Sequence, residues 1–349
     1  MHQIVNNMQE LSTENAVAYL HATGRLPPDL AATAEPLSGG VSNLVLRIRP
    51  QRGPEFVVKQ SRAQLRTDAA WFSDLERIRR ECSVLRRLGE ILPAGTVPRV
   101  LFEDRENYLV GMEAVEPGHR VWKADLLAGR IEDRYAVEAG RLLGLIHRES
   151  FALPQWAAEF GDRRAFEQLR VDPYYRRVAE VHSSIASQID ALIEQMATHA
   201  CCLTHADFSP KNLLITSRSL ALVDHETGHW GDPAFDVGFF LTHLALKRIV
   251  HAKRGEEFAR LVASFDTSYK ETVGELQPGP LAPAAWEPRA VLHLAACLLA
   301  RIDGKSRIEY LDGQQRQFTR RFALEMFHDP PPRLQEVFER LGERRASAR

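Results

Sequence analysis

Thr204-His205-Ala206-Asp207-Phe208-Ser209-Pro210-Lys211-Asn212, followed by Leu222-Val223-Asp224-His225-Glu226, decides how this chain is read. Asp207 and Asn212 stand five apart on a Pro-containing loop, and Asp224 comes twelve residues after Asn212, at the end of the apolar run Leu220 to Val223. Leu213-Leu214-Ile215 and Leu220-Ala221-Leu222-Val223, separated by Thr216-Ser217-Arg218-Ser219, predict a β-hairpin. Its open end sets Asn212 and Asp224 side by side. Carboxylate and amide oxygens are hard ligands, so the cluster suits Mg²⁺ better than Zn²⁺. Mg²⁺ held by few protein oxygens leaves positions for nucleotide phosphates. A single loop Asp is more often a turn or a helix cap. The joint order of His-x-Asp, Asn, hairpin and Asp-x-Glu is what points to function.

Outward from this stretch, the first third of the chain reads as mostly β. Residues 1–36 predict one or two helices that stop at Pro27-Pro28. Leu37-Ser38-Gly39-Gly40-Val41-Ser42-Asn43 then leads into Leu44 to Arg49, a strand. Pro50-Gln51-Arg52-Gly53-Pro54 is turn chemistry, and Phe56-Val57-Val58-Lys59-Gln60 is the returning strand. Ile78, Cys82, Leu85 and Leu88 recur at helical spacing and put Glu81 next to an apolar stripe. Val97 to Glu103 and Tyr108 to Val115 flank Asp104-Arg105-Glu106-Asn107 as a second hairpin. Beyond Glu116 the periodicity is helical over 136–147, most of 163–199, and from Phe235 to the charged tail. Only 277–288 is Pro-rich enough to predict a plain loop. Strands first and helices after give an α+β plan in two parts.

Composition narrows the class. The length of 349 residues suggests about two domains. Lys plus Arg (45) balance Asp plus Glu (46), for a formal charge of −1, which removes the footprint of a general nucleic-acid binder. That average conceals an acidic site: between Thr204 and Asp236, Asp207, Asp224, Glu226, Asp232 and Asp236 face only Lys211 and Arg218. Cys82, Cys201, Cys202 and Cys297 include no Cys-x-x-Cys pair, so neither a disulfide scaffold nor a zinc knuckle is expected. Met1 to Leu20 lacks a signal-peptide apolar core, and Ala290 to Ala300, interrupted by His293, falls short of the ~20 residues that span a bilayer. The expectation is a soluble cytoplasmic protein with neither nucleic acid nor membrane as partner.

On these motifs the chain resembles the aminoglycoside phosphotransferase and choline kinase branch of the protein-kinase-like fold, with the methylthioribose kinases the nearest group within it. His205 to Asn212 matches the catalytic loop of that branch, Asp224-His225-Glu226 its Asp-x-Glu metal motif, and Gly231 to Phe240 the segment after it. Gly39-Gly40-Val41-Ser42-Asn43 falls at the nucleotide loop and Val57-Val58-Lys59-Gln60 at the phosphate-binding Lys. The resemblance runs from about Leu37 to about Tyr310 and is most specific between 203 and 240.

The resemblance implies an α+β, bi-lobed kinase-like fold, with 1–114 as a β-rich N-terminal lobe and 115–349 as a larger helical one. It implies an ATP- and Mg²⁺-dependent phosphotransferase whose acceptor is a hydroxyl of a small molecule: a sugar such as methylthioribose, an aminoglycoside or an amino alcohol. Asp207 would be the catalytic base, and Asn212, Asp224 and Glu226 the metal ligands. Ser38, Gly39, Gly40, Ser42 and Asn43 would form the nucleotide loop. Lys59 would meet the α- and β-phosphates, held by Glu81 in preference to Glu76. Met112-Glu113-Ala114-Val115 would offer backbone groups to the adenine, His205 and Asp236 would scaffold the loop, and Arg301 would face the acceptor. The chain departs from the pattern where the glycine loop is not a full G-x-G-x-x-G, where Ala206 replaces the usual Gly, and where Ser209-Pro210-Lys211 differs from the methylthioribose kinase loop. Two other readings remain: a nucleotide-binding regulatory pseudokinase, which the full set of Lys59, Asp207, Asn212 and Asp224 disfavours, and a metal-dependent hydrolase built on His205, Asp207, Asp224 and Glu226.

Overall fold

A short helix, α1 (Ala16–Ala22), buries Ala16, Tyr19 and Leu20. The computed structural model describes residues 8–37, 42–65, 71–274 and 279–346, with side chains to 343. Beyond Pro27-Pro28 the chain does not simply end a helical segment; it forms a strand, β1 (Ala32–Pro36), antiparallel to β2 (Asn43–Pro50). Its five residues are half-buried or exposed and carry no apolar run, so nothing in their own pattern marks them. Pairing with β2 makes them a strand, and Pro36 fits because it closes an edge strand, where a missing N–H costs little.

The hairpins form as the turns predict. β3 (Phe56–Ser61) returns along β2, with Val45 opposite Lys59. Helix α2 (Arg77–Ile91) buries Ile78, Cys82, Leu85 and Leu88. β4 (Val100–Asp104) and β5 (Leu109–Glu113) make the second hairpin, giving one antiparallel sheet in the order β1-β2-β3-β5-β4. Side chains alternate across a strand. Val58 and Leu109 therefore pack on the face shared with Tyr19 and Leu20, while Val57, Val110 and Met112 pack on the face that meets Ile78 and Cys82. Lys59, two residues from Val57, shares the face covered by α2.

The chain divides into two compact units, Met1–Pro117 and Gly118–Arg349. The second unit begins with β6 (Arg120–Val121), α3 (Trp122–Leu127) and α4 (Asp133–Phe151). Most of 163–199 is helical, as expected, and within it Glu167–Arg176 is wound as a π-helix with Pro173 inside, before α5 (Ala186–Thr198). β7 (Cys202–Thr204), β8 (Leu213–Ile215), β9 (Leu220–Leu222) and β10 (His229–Gly231) make two small sheets, with β8 between β6 and β9 and β10 on β7. Helices α6 (Pro233–Val250), α7 (Gly255–Val273), α8 (Pro283–Asp303), α9 (Gly313–His328) and α10 (Leu334–Ala346) complete the unit.

The expected loop over 277–288 is corrected from 283 onward, where α8 begins; 277 and 278 lie outside the described residues. Pro283 occupies the first turn, where its missing N–H is not needed, and the buried face of Trp286, Glu287, Ala290 and Val291 carries the helix past Pro288. The apolar run Ala290 to Ala300 is core of this helix, and no helix among the described residues is long and apolar enough to cross a membrane. Gly238 lets α6 press on α8: a Cβ there would stand 2.5 Å from the Ala290 carbonyl oxygen.

α6 is buried along nearly its whole length, and Phe240 on it is the hub of this core. Its ring lies 5.9 Å from Trp122, 5.5 Å from Phe208 and 4.3 Å from Phe265, so it ties the 205–212 loop to helices α3 and α7. Phe240→Ala should cost about 3–5 kcal/mol of stability in denaturant unfolding, the range for a buried aromatic truncation. A loss under about 1 kcal/mol would show that the loop is not anchored through this ring.

Candidate active site

In the first unit, Lys59 Nζ lies 2.7 Å and 3.0 Å from the two carboxylate oxygens of Glu81, and both residues are buried. Glu76 instead pairs with Arg79. Ser38, Gly39 and Gly40 lie outside the described residues. Ser42 and Asn43 are buried, and Asn43 Nδ2 donates to Ser42 Oγ at 3.1 Å. Arg77, a residue the sequence did not single out, is buried beside them. Its guanidinium donates to the Ser42 carbonyl, to Asn43 Oδ1 at 3.1 Å and to the Arg62 carbonyl at 2.9 Å. A charged residue flanking an amphipathic stripe gives no sign that it will turn inward. Met112 and Glu113 lie on β5, where the Glu113 amide donates to the Arg99 carbonyl at 2.9 Å and its side chain pairs with Arg99. Val115 comes just after the strand. Trp71 and Trp122 are buried, and Phe72 is exposed.

In the second unit, the loop after β7 is fixed from α6. Asp232 caps that helix by accepting from the Ala234 amide at 3.0 Å and is gripped by Arg289 at 2.6 and 2.9 Å. One turn in, the fully buried Asp236 accepts from the amides of His205 at 2.7 Å and Ala206 at 2.8 Å, and from His147 Nε2 at 3.2 Å. His147 Nδ1 is 2.9 Å from the Tyr269 hydroxyl. Burial alone would raise the Asp236 pKa, but the hydrogen bond and charge of His147 and the His205 amide hold it below the usual carboxylate value. Ala206, with φ at +59°, occupies the left-handed region usually left to Gly. That conformation costs about 1–2 kcal/mol. Two amide-to-carboxylate bonds at about 1.5–3 kcal/mol each outweigh it. His205 is buried, and burial keeps its pKa below 6.5 against the pull of Asp236, Asp207 and Asp224. Its Nδ1 accepts from the Asp207 amide at 3.1 Å, and Thr227 Oγ1 donates to its carbonyl at 3.0 Å. It acts as a neutral strut. His225 faces the Leu222 carbonyl and His229 stacks on Phe166, so both serve packing.

Asp207 is held at both oxygens. Arg170 Nη2, from the π-helical stretch, lies 2.5 Å from Oδ1, and Asn212 Nδ2 donates to Oδ2 at 2.7 Å and to the Asp207 carbonyl at 3.0 Å. Arg170 also donates to the Ala206 carbonyl at 2.8 Å. Burial works against its charge, but Asp207 and Tyr174 outweigh that and raise its pKa. The Asn212 amide nitrogen is committed to Asp207, which leaves its Oδ1 as the side-chain atom able to act as an oxygen ligand. The hairpin does what its pattern predicts: Leu213 faces Leu222, and the Val223 amide donates to the Asn212 carbonyl at 3.0 Å. The chain then turns at Asp224, with φ at +70°, and carboxylate oxygens of Asp224 and Glu226 come within 4.8 Å of each other. Two carboxylates and one amide oxygen are a hard, all-oxygen donor set that fits a divalent cation.

A second group of charges, of which the sequence singled out only Arg301, lies in the same unit. Arg301, on α8, donates through Nη1 to the Tyr174 hydroxyl at 2.9 Å and to Ser306 Oγ at 2.7 Å. Lys123 and Lys247 place their Nζ atoms 5.9 and 5.7 Å from the centre of the Tyr310 ring. Lys247 is fully buried and donates only to the His243 carbonyl, at 3.1 Å, among the described residues. Burial first, then Lys123 and Arg301, bring its pKa down to about 7.

Two substitutions test these buried charges. Asp236→Asn replaces an acceptor of two amides by a group that accepts with one oxygen only, so it should cost about 3 kcal/mol in urea unfolding. Wild-type protection from Asp236 is fully present above the ordinary Asp pKa of about 4 and is lost as pH falls below it; the variant should therefore show a flatter acid limb. Lys247→Met should stabilise the protein by about 1–4 kcal/mol, the scale for replacing buried charge by apolar volume. The penalty it removes is complete below pH about 7 and fades toward about 10.5, where the unfolded Lys also loses its proton. A gain that is the same at pH 6 and pH 10.5 would contradict this.

The profile of the phosphotransferase enzyme family (APH) matches residues 33–275. Methylthioribose kinase of Cronobacter sakazakii is 27% identical over 270 residues, covering 69% of this chain and 67% of that protein. The enzyme of that name from Pectobacterium atrosepticum is 24% identical over 263 residues, covering 67% and 65%. The chain thus spans about two thirds of the length of these relatives. The crystal structure of choline kinase from Cryptosporidium parvum superposes with a TM-score of 0.57 at 14% identity, covering 90% of this chain and 95% of that one, which shows an α+β, protein-kinase-like fold. The matched residues take in the sheet that carries Lys59, the Asp236-held loop and the carboxylates at 224 and 226, and the chain belongs to the phosphotransferase enzyme family.

Proposed function

We propose that this chain is an ATP- and Mg²⁺-dependent kinase that transfers the γ-phosphate to a hydroxyl of a small molecule, acting in the cytoplasm. The observation that carries this reading is the doubly held Asp207 carboxylate, fixed at 2.5 Å by Arg170 and 2.7 Å by Asn212 next to a hard-oxygen donor set. Phosphoryl transfer asks a protein for positioning and charge neutralisation more than for covalent chemistry. Asp207 would accept the hydrogen bond of the acceptor hydroxyl and take its proton as the hydroxyl oxygen bonds to the γ-phosphorus and the bond to the ADP oxygen breaks. Asn212 Oδ1, Asp224 and Glu226 would hold Mg²⁺, which neutralises phosphate charge when bound. Lys59, fixed by Glu81, would meet the α- and β-phosphates. Ser42 and Asn43, with Ser38, Gly39 and Gly40, would shape the nucleotide loop, and Met112, Glu113 and Val115 would offer backbone groups to the adenine.

The name of the curated relatives makes methylthioribose the first acceptor to try, ahead of other sugars, amino alcohols and aminoglycosides. The test is a coupled ADP-release assay across those classes. Asp207→Asn should lower kcat by about 10²–10⁴ while nucleotide still binds, the range for loss of a positioned base. Unchanged turnover would remove Asp207 from that role, and absence of ADP from every acceptor would favour a regulatory nucleotide-binding protein. Asp224→Ala should abolish the Mg²⁺-dependent part of the thermal protection given by a non-hydrolysable ATP analogue. Protection at wild-type strength would mean that the metal ligands lie elsewhere.

A further inference from the structure

The two oxygens of Asp207 look toward different charge fields. Oδ2 faces Asn212 and the acidic, metal-suited end of the hairpin. Oδ1 faces Arg170, whose guanidinium lies 5.7 Å from the centre of the Tyr174 ring, and the Tyr174 hydroxyl in turn receives Arg301. On this second side the charge is positive and uncompensated. Among the described residues, none of Lys123, Lys247 and Arg301 has a carboxylate oxygen within 4.0 Å. Asp207 is already spent on Arg170, and Glu309, whose field reaches Lys123, is an exposed residue. The group has further unfilled capacity: the Tyr310 hydroxyl and Arg301 Nε are buried and have no hydrogen-bond partner among the described residues. The backbone ties it to the loop as well, because the Lys123 amide donates to the Pro210 carbonyl at 2.8 Å.

Mutually repelling cations in a partly dry setting are costly unless something neutralises them. A neutral sugar supplies no such group, and a polycationic aminoglycoside would add to the repulsion. Building on the kinase reading above, we infer that the acceptor is an anion: a hydroxylated small molecule whose carboxylate or phosphate group is seated by Lys123 and Arg301 beside the Tyr310 ring, with Lys247 behind them. Its hydroxyl is then presented to Asp207 from the Arg170 side, away from the metal-suited oxygens. The lone resemblance-based substrate residue, Arg301, becomes one member of an anion seat.

The test uses the full chain and acceptors matched in size but not in charge: ribose against ribose 5-phosphate, glucose against gluconate, and choline as the cation. In the ADP-release assay the anionic member of a pair should have a kcat/KM at least about 100-fold above its neutral partner, the scale for engaging two charged groups. The two pairs separate a phosphate from a carboxylate as the recognised group. Lys123→Met and Arg301→Met should raise KM for the anionic acceptor about 10-fold or more and leave KM for ATP unchanged. Equal or better turnover of the neutral or cationic acceptors overturns the inference. A second readout is independent of catalysis. Malonate and inorganic phosphate should raise Tm above sodium chloride of matched ionic strength, and that gain should vanish in Lys123→Met, Arg301→Met and the stably folded Lys247→Met. Should the anions protect while no acceptor yields ADP, the kinase reading fails and the anion seat stands. If they protect no better than chloride, or protect the variants equally, the seat does not exist.

Discussion

One buried carboxylate holds the second unit's site together. Asp236, in the first turn of α6, accepts the amides of His205 and Ala206 and thereby forces the loop into a backbone course that Ala206 would not choose alone. Everything downstream inherits that course. The Asp207 amide meets His205 Nδ1, the Ala206 carbonyl meets Arg170, and Asp207 arrives between Arg170 and Asn212. The anchor is itself anchored. Asp232 caps α6 under the grip of Arg289, and His147 links Asp236 to Tyr269 on α7. A charge buried this deeply is tolerable because each oxygen has donors, and the same saturation makes the loop rigid.

Rigidity at Asp207 has a chemical use. A carboxylate held at both oxygens cannot swing, so in the proposed transfer the acceptor hydroxyl would have to come to it. The charge around it is uneven, with the carboxylates of Asp224 and Glu226 beyond the Asn212 amide and a cationic group at Arg301, Lys123 and Lys247. In the proposed transfer, opposite fields on the two sides of one carboxylate would discriminate between a metal-bound phosphate donor and an anionic acceptor. The π-helical winding of Glu167–Arg176 supplies both Arg170 and Tyr174 to this arrangement, in keeping with the tendency of such windings to occur at functional sites.

The hairpins, α2 and the α+β order could be read from the chain because period-2 and period-3.6 patterns are local. The 213–222 hairpin formed where its pattern of short apolar runs around a polar turn predicted one. β1 could not be read, since an edge strand with half-exposed residues takes its conformation from the strand beside it. The helix through Pro283 and Pro288 could not be read either, because a buried face that includes Trp286 and Ala290 overrides two breakers. Arg77, Arg170, Lys123 and Lys247 were illegible for a third reason: a cation in sequence looks the same whether it is solvated or turned inward.

The sequence by itself determined the order of the elements, the spacing of Asp207, Asn212, Asp224 and Glu226, and the family to which that spacing belongs. These depend on neighbours a few residues away along the chain. The tertiary structure decided which charges are paired. Lys59 meets Glu81 across 22 residues, Arg170 meets the loop across 36, and Arg301 reaches Tyr174 across 127. Burial converts such pairings, or their absence, into free energy, because the interior screens charge poorly and water does not. The acidic side of the site could be counted from the sequence. The cationic side exists only where the fold gathers residues from α3, the π-helical stretch, α6 and α8 around Tyr174 and Tyr310.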